Sequence, residues 1–184
     1  MSALLRLDAV TLVRGGRRLF EGLDLKLEPG GALQVGGPNG SGKSSLLRLA
    51  AGLLRAQAGR VEAARLALAD DMHAVDRELP LARALGFWTG RGAESAMDAM
   101  GLGALGQVPV RILSSGQLRR AGLARVIASS APLWLLDEPL NALDGDGVER
   151  LAAVIASHRA AGGAVLAASH VPLPGAWQRL ELGQ

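Results

Sequence analysis

The ten residues "GGPNGSGKSS", Gly36 to Ser45, include four glycines and one lysine between two strongly apolar segments. The segment before them, "ALQV", has the composition of a short buried strand, and the segment after them has apolar residues at helical spacing. Glycine adopts backbone conformations closed to other residues, so such a loop turns tightly and directs several N–H groups inward. The order strand, glycine loop, helix predicts an anion-binding loop at a helix N-terminus.

Gly37 to Ser44 also fit the spacing G-x-x-x-x-G-K-[ST] of loops that bind nucleoside triphosphates. We expect Lys43 to reach the β- and γ-phosphates and the Ser44 hydroxyl to bind Mg²⁺. The alternative is a glycine-rich turn that fits the pattern by chance. The predicted nucleotide-binding residues of the loop are Gly37, Pro38, Asn39, Gly40, Ser41, Gly42, Lys43, Ser44 and Ser45.

Composition excludes several other classes of protein. A chain of 184 residues fits one domain, and a net charge of +3 is too small and too scattered to indicate a nucleic-acid partner. The basic pairs Arg17-Arg18 and Arg119-Arg120 are interpreted as solvent-exposed. The absence of cysteine excludes disulfides and thiolate metal sites. We find no apolar run long enough to span a bilayer, and Arg6 with Asp8 interrupts any signal-peptide core.

The rest of the chain alternates strand-like and helix-like segments. A helix is predicted from Lys43 to Leu54, ended by Gly59. Asp70 to Val110 is predicted to be less regular, with one helix in "AESAMDAMGLGAL". The other predicted elements are strands in "LLRLDAVTLV", "GLDLKLEPGG", "RLALAD", "LWLLDEP" and "AVLAASH", and helices in "GQLRRAGLARVIASS" and "GDGVERLAAVIASHRAAGG". This alternation predicts an α/β sheet covered on both faces.

Two acids at the end of the apolar strand "LWLLDEP" extend the predicted site. Asp137 is placed to hold Mg²⁺ through water, and Glu138 to orient or deprotonate the attacking water. A solvated loop would also explain an isolated "DE" pair. Following a phosphate loop and four apolar residues, the pair favours nucleotide hydrolysis.

The segment "LSSGQLRR", Leu113 to Arg120, resembles the signature sequence of ABC-type ATPases. The resemblance implies a P-loop NTPase fold with a small N-terminal antiparallel β region and a short helical subdomain at about residues 79–130 of a single 1–184 domain. It also implies a head-to-tail homodimer with ATP at the interface. The residues implied to contact the nucleotide of the other subunit are Ser114, Ser115, where glycine is commoner, Gly116 and Gln117.

Two later segments resemble further elements of the same family. "NALD", ending in Asp144, is similar to the loop that communicates between the two sites, and "SH" is similar to the switch that places a histidine, here His170, at the γ-phosphate. The resemblance thus adds Asp144 to the nucleotide-binding residues. It makes Glu138, His170 and Lys43 the catalytic set, with ATP and Mg²⁺ as cofactors. His73 and His158 are interpreted as structural.

Two positions depart from the family pattern. Arg14 occupies the place of the aromatic residue that stacks on adenine, and a guanidinium can also stack on a base. The glutamine expected after "RLALA" is missing, with Asp70, Asp71, Met72 and His73 in its neighbourhood. Either an acid in this segment makes the contact with Mg²⁺ that the resemblance implies for the glutamine, or the coupling to the membrane partner differs.

Within the family, "RGGRRLFEGLDLKLEPGG", "ELPLARALGFW" and "LWLLDEPLNALDGDGVERL" resemble the ATP-binding subunits of the bacterial haem exporter of cytochrome c maturation. This implies a peripheral protein at the cytoplasmic face of the inner membrane, bound to a membrane-embedded permease. Leu85, Phe87 and Trp88 are candidates for the permease groove, with the protein core as the alternative for the first two. The three histidines show no haem-ligand pattern.

Three other functions remain open from the residues alone. An ABC ATPase acting in DNA repair or translation would normally show long insertions or two ATPase halves, and this chain has neither. A nucleotide switch with little hydrolysis is the second alternative, because of Arg14 and the missing glutamine. An ABC ATPase for another exported substrate is the nearest alternative to the haem exporter.

Overall fold

The computed structural model describes residues 3–70, 76–89 and 92–183. Strands and helices alternate along most of this length, as predicted. The elements are β1 (Leu5–Arg14), β2 (Arg17–Leu27), β3 (Ala32–Gly36), α1 (Lys43–Ala50), β4 (Ala58–Ala63), β5 (Leu66–Ala69), α2 (Leu81–Thr89), α3 (Ala93–Ala99), α4 (Ser115–Ala128), β6 (Leu133–Asp137), α5 (Gly145–Ala160), β7 (Ala164–Ala168) and β8 (Gln178–Glu181). Of these, β4, α2 and β8 were not predicted. β4 is largely exposed and has no long apolar run that would mark it as a strand.

The strands form two sheets. An antiparallel sheet of three strands has the order β2-β1-β4, which confirms the small N-terminal β region. A second sheet of five parallel strands has the order β5-β6-β7-β3-β8. Because its strands run in one direction, the residues that follow β3, β6 and β7 lie along one edge of this sheet.

The central strands of the parallel sheet, β3, β6 and β7, are buried on both faces, as expected. In β6, Leu133 and Leu135 pack into the core shared with α1 and the antiparallel sheet, whereas Trp134 and Leu136 pack against the helices of the other face. Successive side chains of a strand point to opposite faces, so an uninterrupted apolar run is what a doubly covered strand requires. The predicted fold class is therefore confirmed.

The predicted end of the first helix was wrong. α1 ends at Ala50, and Gly52 beyond it has φ +72°. The Gly52 N–H donates to Leu49 O (3.0 Å) and the Leu53 N–H to Arg48 O (2.8 Å), the two hydrogen bonds of a Schellman motif. The stop signal is thus Gly52 rather than Gly59, and Leu53 is 63% exposed instead of lying on a buried helical face.

The stretch from residue 70 to 110 is more regular than predicted. It contains α2 and α3, and the second of these is shorter than the helix expected in "AESAMDAMGLGAL", because Gly101 with φ +70° follows its end. α2, α3 and α4 contact one another and bury Leu85 and Met97 among them. A separate subdomain at about 79–130 stays a prediction. No helix in the described residues has the length and apolar character needed to cross a membrane.

Candidate functional site

The glycine loop lies between β3 and α1, at the edge where the strands of the parallel sheet end. Gly37 has φ +128°, and a Cβ on it would lie 2.4 Å from the carbonyl oxygen of Leu182 and 2.8 Å from Ser41 Oγ. Gly42 caps α1 with φ +107°. Both positions therefore require glycine, which explains the backbone freedom of this segment.

Lys43 is the first residue of α1, and its side chain folds back over the loop. It is 8% exposed, and its Nζ donates hydrogen bonds to Gly37 O (2.8 Å) and Pro38 O (3.1 Å). Because Lys43 begins α1, its ammonium group and the positive end of the helix dipole lie close together. The first turn of α1 contains no acidic residue that would offset this charge. The loop can therefore hold an anion.

Ser44 and Asp137 bring two oxygen ligands together. Ser44 Oγ donates to Asp137 Oδ1 at 3.0 Å, and Asp137 is 6% exposed at the end of β6. Hydroxyl and carboxylate oxygens suit Mg²⁺, which is usually bound through one or two protein groups, water and substrate phosphates. In the described residues no cluster of three or more histidines or acids forms a complete metal cage. The pair fits the Mg²⁺ prediction made from the sequence.

Glu138 is paired with His170. Its Oε2 lies 2.8 Å from His170 Nδ1, which joins the end of β6 to the segment after β7. The carboxylate is 20% exposed and the imidazole 55%, so both remain accessible. Glu138 lines the same cleft as Asn39, Gly40, Lys43 and other loop residues. The structure thus brings the three predicted catalytic residues to one edge of the sheet.

Arg14 also lines this cleft, at the end of β1. Its Nη1 lies 3.4 Å from Ser45 Oγ, two residues beyond the phosphate lysine. Stacking of Arg14 on a base stays a prediction. Ser41 is buried at 4% exposure, and its Oγ has no hydrogen-bond partner among the described residues.

The signature segment forms the N-terminus of α4. Ser114 Oγ accepts the Gln117 N–H (3.2 Å) and Gln117 Oε1 accepts the Ser114 N–H (2.9 Å), a capping box. Gly116 lies so close to the next loop that a Cβ on it would be 2.8 Å from Ala142 O. Ser114 and Ser115 are exposed, so the end of the helix is open to solvent.

Asp144 caps the neighbouring helix α5. Its Oδ1 accepts the Gly147 N–H at 2.9 Å and also bonds the guanidinium of Arg120. The backbone bond from Gly147, with help from Arg120, holds the pKa of the Asp144 carboxyl below its usual range. Asp144 and the signature residues line a cleft of their own, which contains none of the phosphate-loop residues. Within one chain, the two sets of predicted residues therefore do not share a cleft.

The interpretation of Arg119-Arg120 as a solvent-exposed pair was wrong. Arg119 is 5% exposed, and its Nη2 donates to the carbonyl oxygens of Asp137 and Glu138. Arg120 pairs with Asp144 and Asp146 and is also mostly buried. Their burial depends on contacts with β6 and α5 that helical periodicity does not report. Arg17 and Arg18 are exposed, as expected.

Gln34 is a second residue that the sequence analysis missed. It lies buried in β3, and its Nε2 donates to Val171 O (2.8 Å) while its Oε1 accepts the Leu173 N–H (3.2 Å). Both bonds hold the segment that follows His170. A polar side chain inside the apolar run "ALQV" was the available signal.

Of the other histidines and the residues near the missing glutamine, the structure describes His158 and Asp70. His158 stacks on Trp134 with ring centroids 3.7 Å apart, which confirms a structural role, and burial lowers its pKa. Asp70 accepts a long hydrogen bond (3.5 Å) at its backbone oxygen from Arg119 Nη1. The predictions for Asp71, Met72 and His73 lie outside the described residues.

The residues predicted to contact the permease differ in exposure. Leu85 is 1% exposed and belongs to the core, whereas Phe87 is 82% exposed on α2, so the core interpretation was wrong for Phe87. The prediction for the Trp88 side chain lies outside what the structure describes.

Comparison with known proteins shows the family of this chain. The family profile "ABC transporter" matches residues 20–141. A "cytochrome c biogenesis ATP-binding export protein CcmA" from Sphingopyxis alaskensis is 57% identical over 94% of this chain and 93% of its own length, and the protein of the same name from Zymomonas mobilis is 47% identical over 92% and 79%.

Solved structures give the same result for the fold. An ABC transporter of the metal-chelate type in an inward-facing conformation superposes with a TM-score of 0.86 at 25% identity, over 99% of this chain and 80% of that chain. An ATP-binding ABC protein from Pyrococcus furiosus superposes with a TM-score of 0.85 at 20% identity, over 97% and 96%. The chain is an ATP-hydrolysing member of the ABC transporter family and belongs to its cytochrome c biogenesis ATP-binding export proteins.

Proposed function

We propose that this chain is the motor subunit of an exporter in cytochrome c biogenesis, with haem as the object of transport. The supporting observation is the convergence of Lys43, the Ser44–Asp137 pair and the Glu138–His170 pair on one edge of the sheet. The names of the similar proteins from Sphingopyxis and Zymomonas support the place in cytochrome c biogenesis.

The arrangement suits phosphoryl transfer to water. Lys43 and the loop N–H groups hold the triphosphate and balance its charge, which is the largest contribution to catalysis in this reaction class. Glu138 takes the proton of the attacking water, and His170 orients that carboxylate through its 2.8 Å contact. Mg²⁺, held by Ser44 and, directly or through water, by Asp137, would supply further neutralisation of phosphate charge.

We further propose that two copies pair head to tail. In one chain, the phosphate loop and the signature residues line different clefts, and the N-terminus of α4 is exposed. Pairing would place Ser114 and Gly116 of one copy over the nucleotide of the other. The helix N-terminus would then add its positive end to the phosphate site.

A membrane-embedded permease is the proposed partner, at the cytoplasmic face of the inner membrane. Phe87, which is 82% exposed on α2, is the residue that we assign to this contact. Burial of a large aromatic side chain is a common source of binding energy in interfaces. The work of hydrolysis would reach the permease through the helices around α2.

Pairing is tested by measuring the mass of the purified protein with and without Mg·ATP by light scattering. We use Glu138→Gln to slow hydrolysis, and we expect a monomer without nucleotide and a dimer with it. Ser114→Arg places a bulky charge at the contact and should leave a monomer in both states. A Glu138→Gln protein that binds Mg·ATP but stays monomeric would contradict the head-to-tail dimer.

A further inference from the structure

Arg119 joins the signature helix to the backbone of the catalytic acids. It lies in α4, two residues beyond Gln117, and is 5% exposed. Its Nη2 donates to Asp137 O and, at 2.6 Å, to Glu138 O. A guanidinium offers donors in a fixed planar fork, so it can hold two neighbouring carbonyl groups in one arrangement.

Glu138 needs such support because its backbone is unusual. Its φ is +46°, in the left-handed region that residues other than glycine rarely occupy. Strained backbone of this kind persists only where surrounding contacts determine it. The Glu138 N–H donates to Ala168 O (2.8 Å), and its carbonyl accepts the Asn141 N–H (3.1 Å) as well as Arg119.

The same backbone conformation sets the direction of the Glu138 side chain. From this position its carboxylate meets His170 and faces the cleft of Lys43. A relaxed backbone at residue 138 would turn the carboxylate away from the attacking water. Displacement of a catalytic group by about 1 Å costs on the order of 10²-fold in rate.

We infer that Arg119 is a positioning residue for ATP hydrolysis, which acts by fixing the backbone of Glu138. The inference rests on the proposed role of Glu138 as general base. Arg119 is not among the residues that line the cleft of Lys43 and Glu138, so its loss should lower turnover and leave ATP affinity unchanged. Arg119 would be needed for catalysis only while the residue at position 138 can act as a base.

The test compares Arg119→Lys and Arg119→Gln with a matched control, Arg125→Lys. Arg125 lies on the same helix and also donates to a backbone oxygen, Leu68 O at 2.7 Å, which belongs to β5 and not to the acid pair. We measure the ATP dissociation constant, phosphate release at saturating ATP and the thermal midpoint for each protein. Arg119→Gln and Arg125→Lys are also combined with Glu138→Gln.

We expect Arg119→Gln to lower kcat by about 10²-fold with ATP affinity changed by less than about twofold, because the lost contacts are to the backbone oxygens of Asp137 and Glu138 and not to the phosphate loop. Arg119→Lys keeps one charged donor and should recover part of the rate. In the Glu138→Gln background, Arg119→Gln should cause no further loss. Arg125→Lys should lower the thermal midpoint without a selective loss of kcat.

Three results would overturn the inference. The first is an unchanged kcat in Arg119→Gln. If the wild type hydrolyses ATP and Glu138→Gln does not, this result would leave the proposed function intact. The second is an equal further loss in the Glu138→Gln background. The third is a failure of both Arg119 variants to fold while Arg125→Lys folds, because Arg119 would then act on general stability.

Discussion

Replacement of Glu138 by glutamine separates nucleotide binding from hydrolysis. The substitution keeps the length of the side chain and an oxygen that can accept the 2.8 Å contact from His170 Nδ1. It removes the capacity to take a proton from water. General-base catalysis contributes about 10²–10⁴-fold, or about 3–5 kcal/mol of activation free energy, so kcat should fall by that factor.

Binding should survive this change. Among the described residues, Glu138 forms no hydrogen bond with Lys43 or Ser44, whose hydrogen bonds define the phosphate loop. The substitution also removes one negative charge from the cleft that receives the triphosphate, so ATP affinity should be equal or higher. The loss therefore falls on kcat and not on the dissociation constant.

The assay is phosphate release at saturating Mg·ATP, paired with titration of a fluorescent ATP analogue. Glu149→Gln is the control, since Glu149 is an exposed glutamate on α5. We expect the control to match the wild type in both measurements. Full ATPase activity in Glu138→Gln would refute the assignment of Glu138 as the base.

Three further predictions concern the metal, the core and pH. Ser44→Ala should raise the Mg²⁺ concentration needed for half-maximal hydrolysis, because only Asp137 of the pair would remain; an unchanged requirement would contradict the assignment. Leu85→Ala should lower the free energy of unfolding, measured in urea, by about 2–5 kcal/mol, because Leu85 is buried. Phe87→Ala should lower it by less than about 0.5 kcal/mol and should instead weaken binding to the permease. Equal losses of stability in the two variants would contradict the difference in burial. Burial lowers the pKa of His158, so below about pH 6.5 the unfolded chain binds a proton that the folded chain resists, and stability falls as the pH drops. His158→Phe keeps a ring against Trp134 and should lose this part of the pH dependence, and an identical pH profile in urea unfolding would be the contrary result.

The phosphate loop and the acid pair were predictable because local sequence determines them. A left-handed turn requires glycine at Gly37 and Gly42, and a buried strand requires the apolar run before Asp137. Neighbours in sequence thus contain most of the information about the P-loop. The edge where these segments meet follows from the parallel arrangement of the strands.

The burial of Arg119 was not predictable in the same way. It results from contacts between α4 and the end of β6. Arg119 and its partner Asp137 are 18 residues apart in the chain. Gln34 is similar, because its partners Val171 and Leu173 lie more than 130 residues away. Hydrogen bonds of this kind depend on tertiary packing, which composition and periodicity do not describe.

The end of α1 was misjudged for a local reason. Apolar residues at helical spacing continue to Leu53, but Gly52 stabilises the end of the helix through its positive φ and the two carbonyl contacts. The glycine cap therefore ends the helix although the apolar pattern continues. An isolated glycine near the end of a predicted helix is the signal to weigh first.

The central claim is that Lys43-dependent ATP hydrolysis drives a membrane partner. We would measure ATP turnover of the purified chain and of the chain co-expressed with membrane proteins from its own gene neighbourhood. Lys43→Ala serves as the blank, and Lys26→Ala, which changes the only other lysine, as the control. We predict turnover that requires Lys43, tolerates loss of Lys26 and rises when the membrane complex assembles. ATP binding without turnover in either state would contradict the motor function.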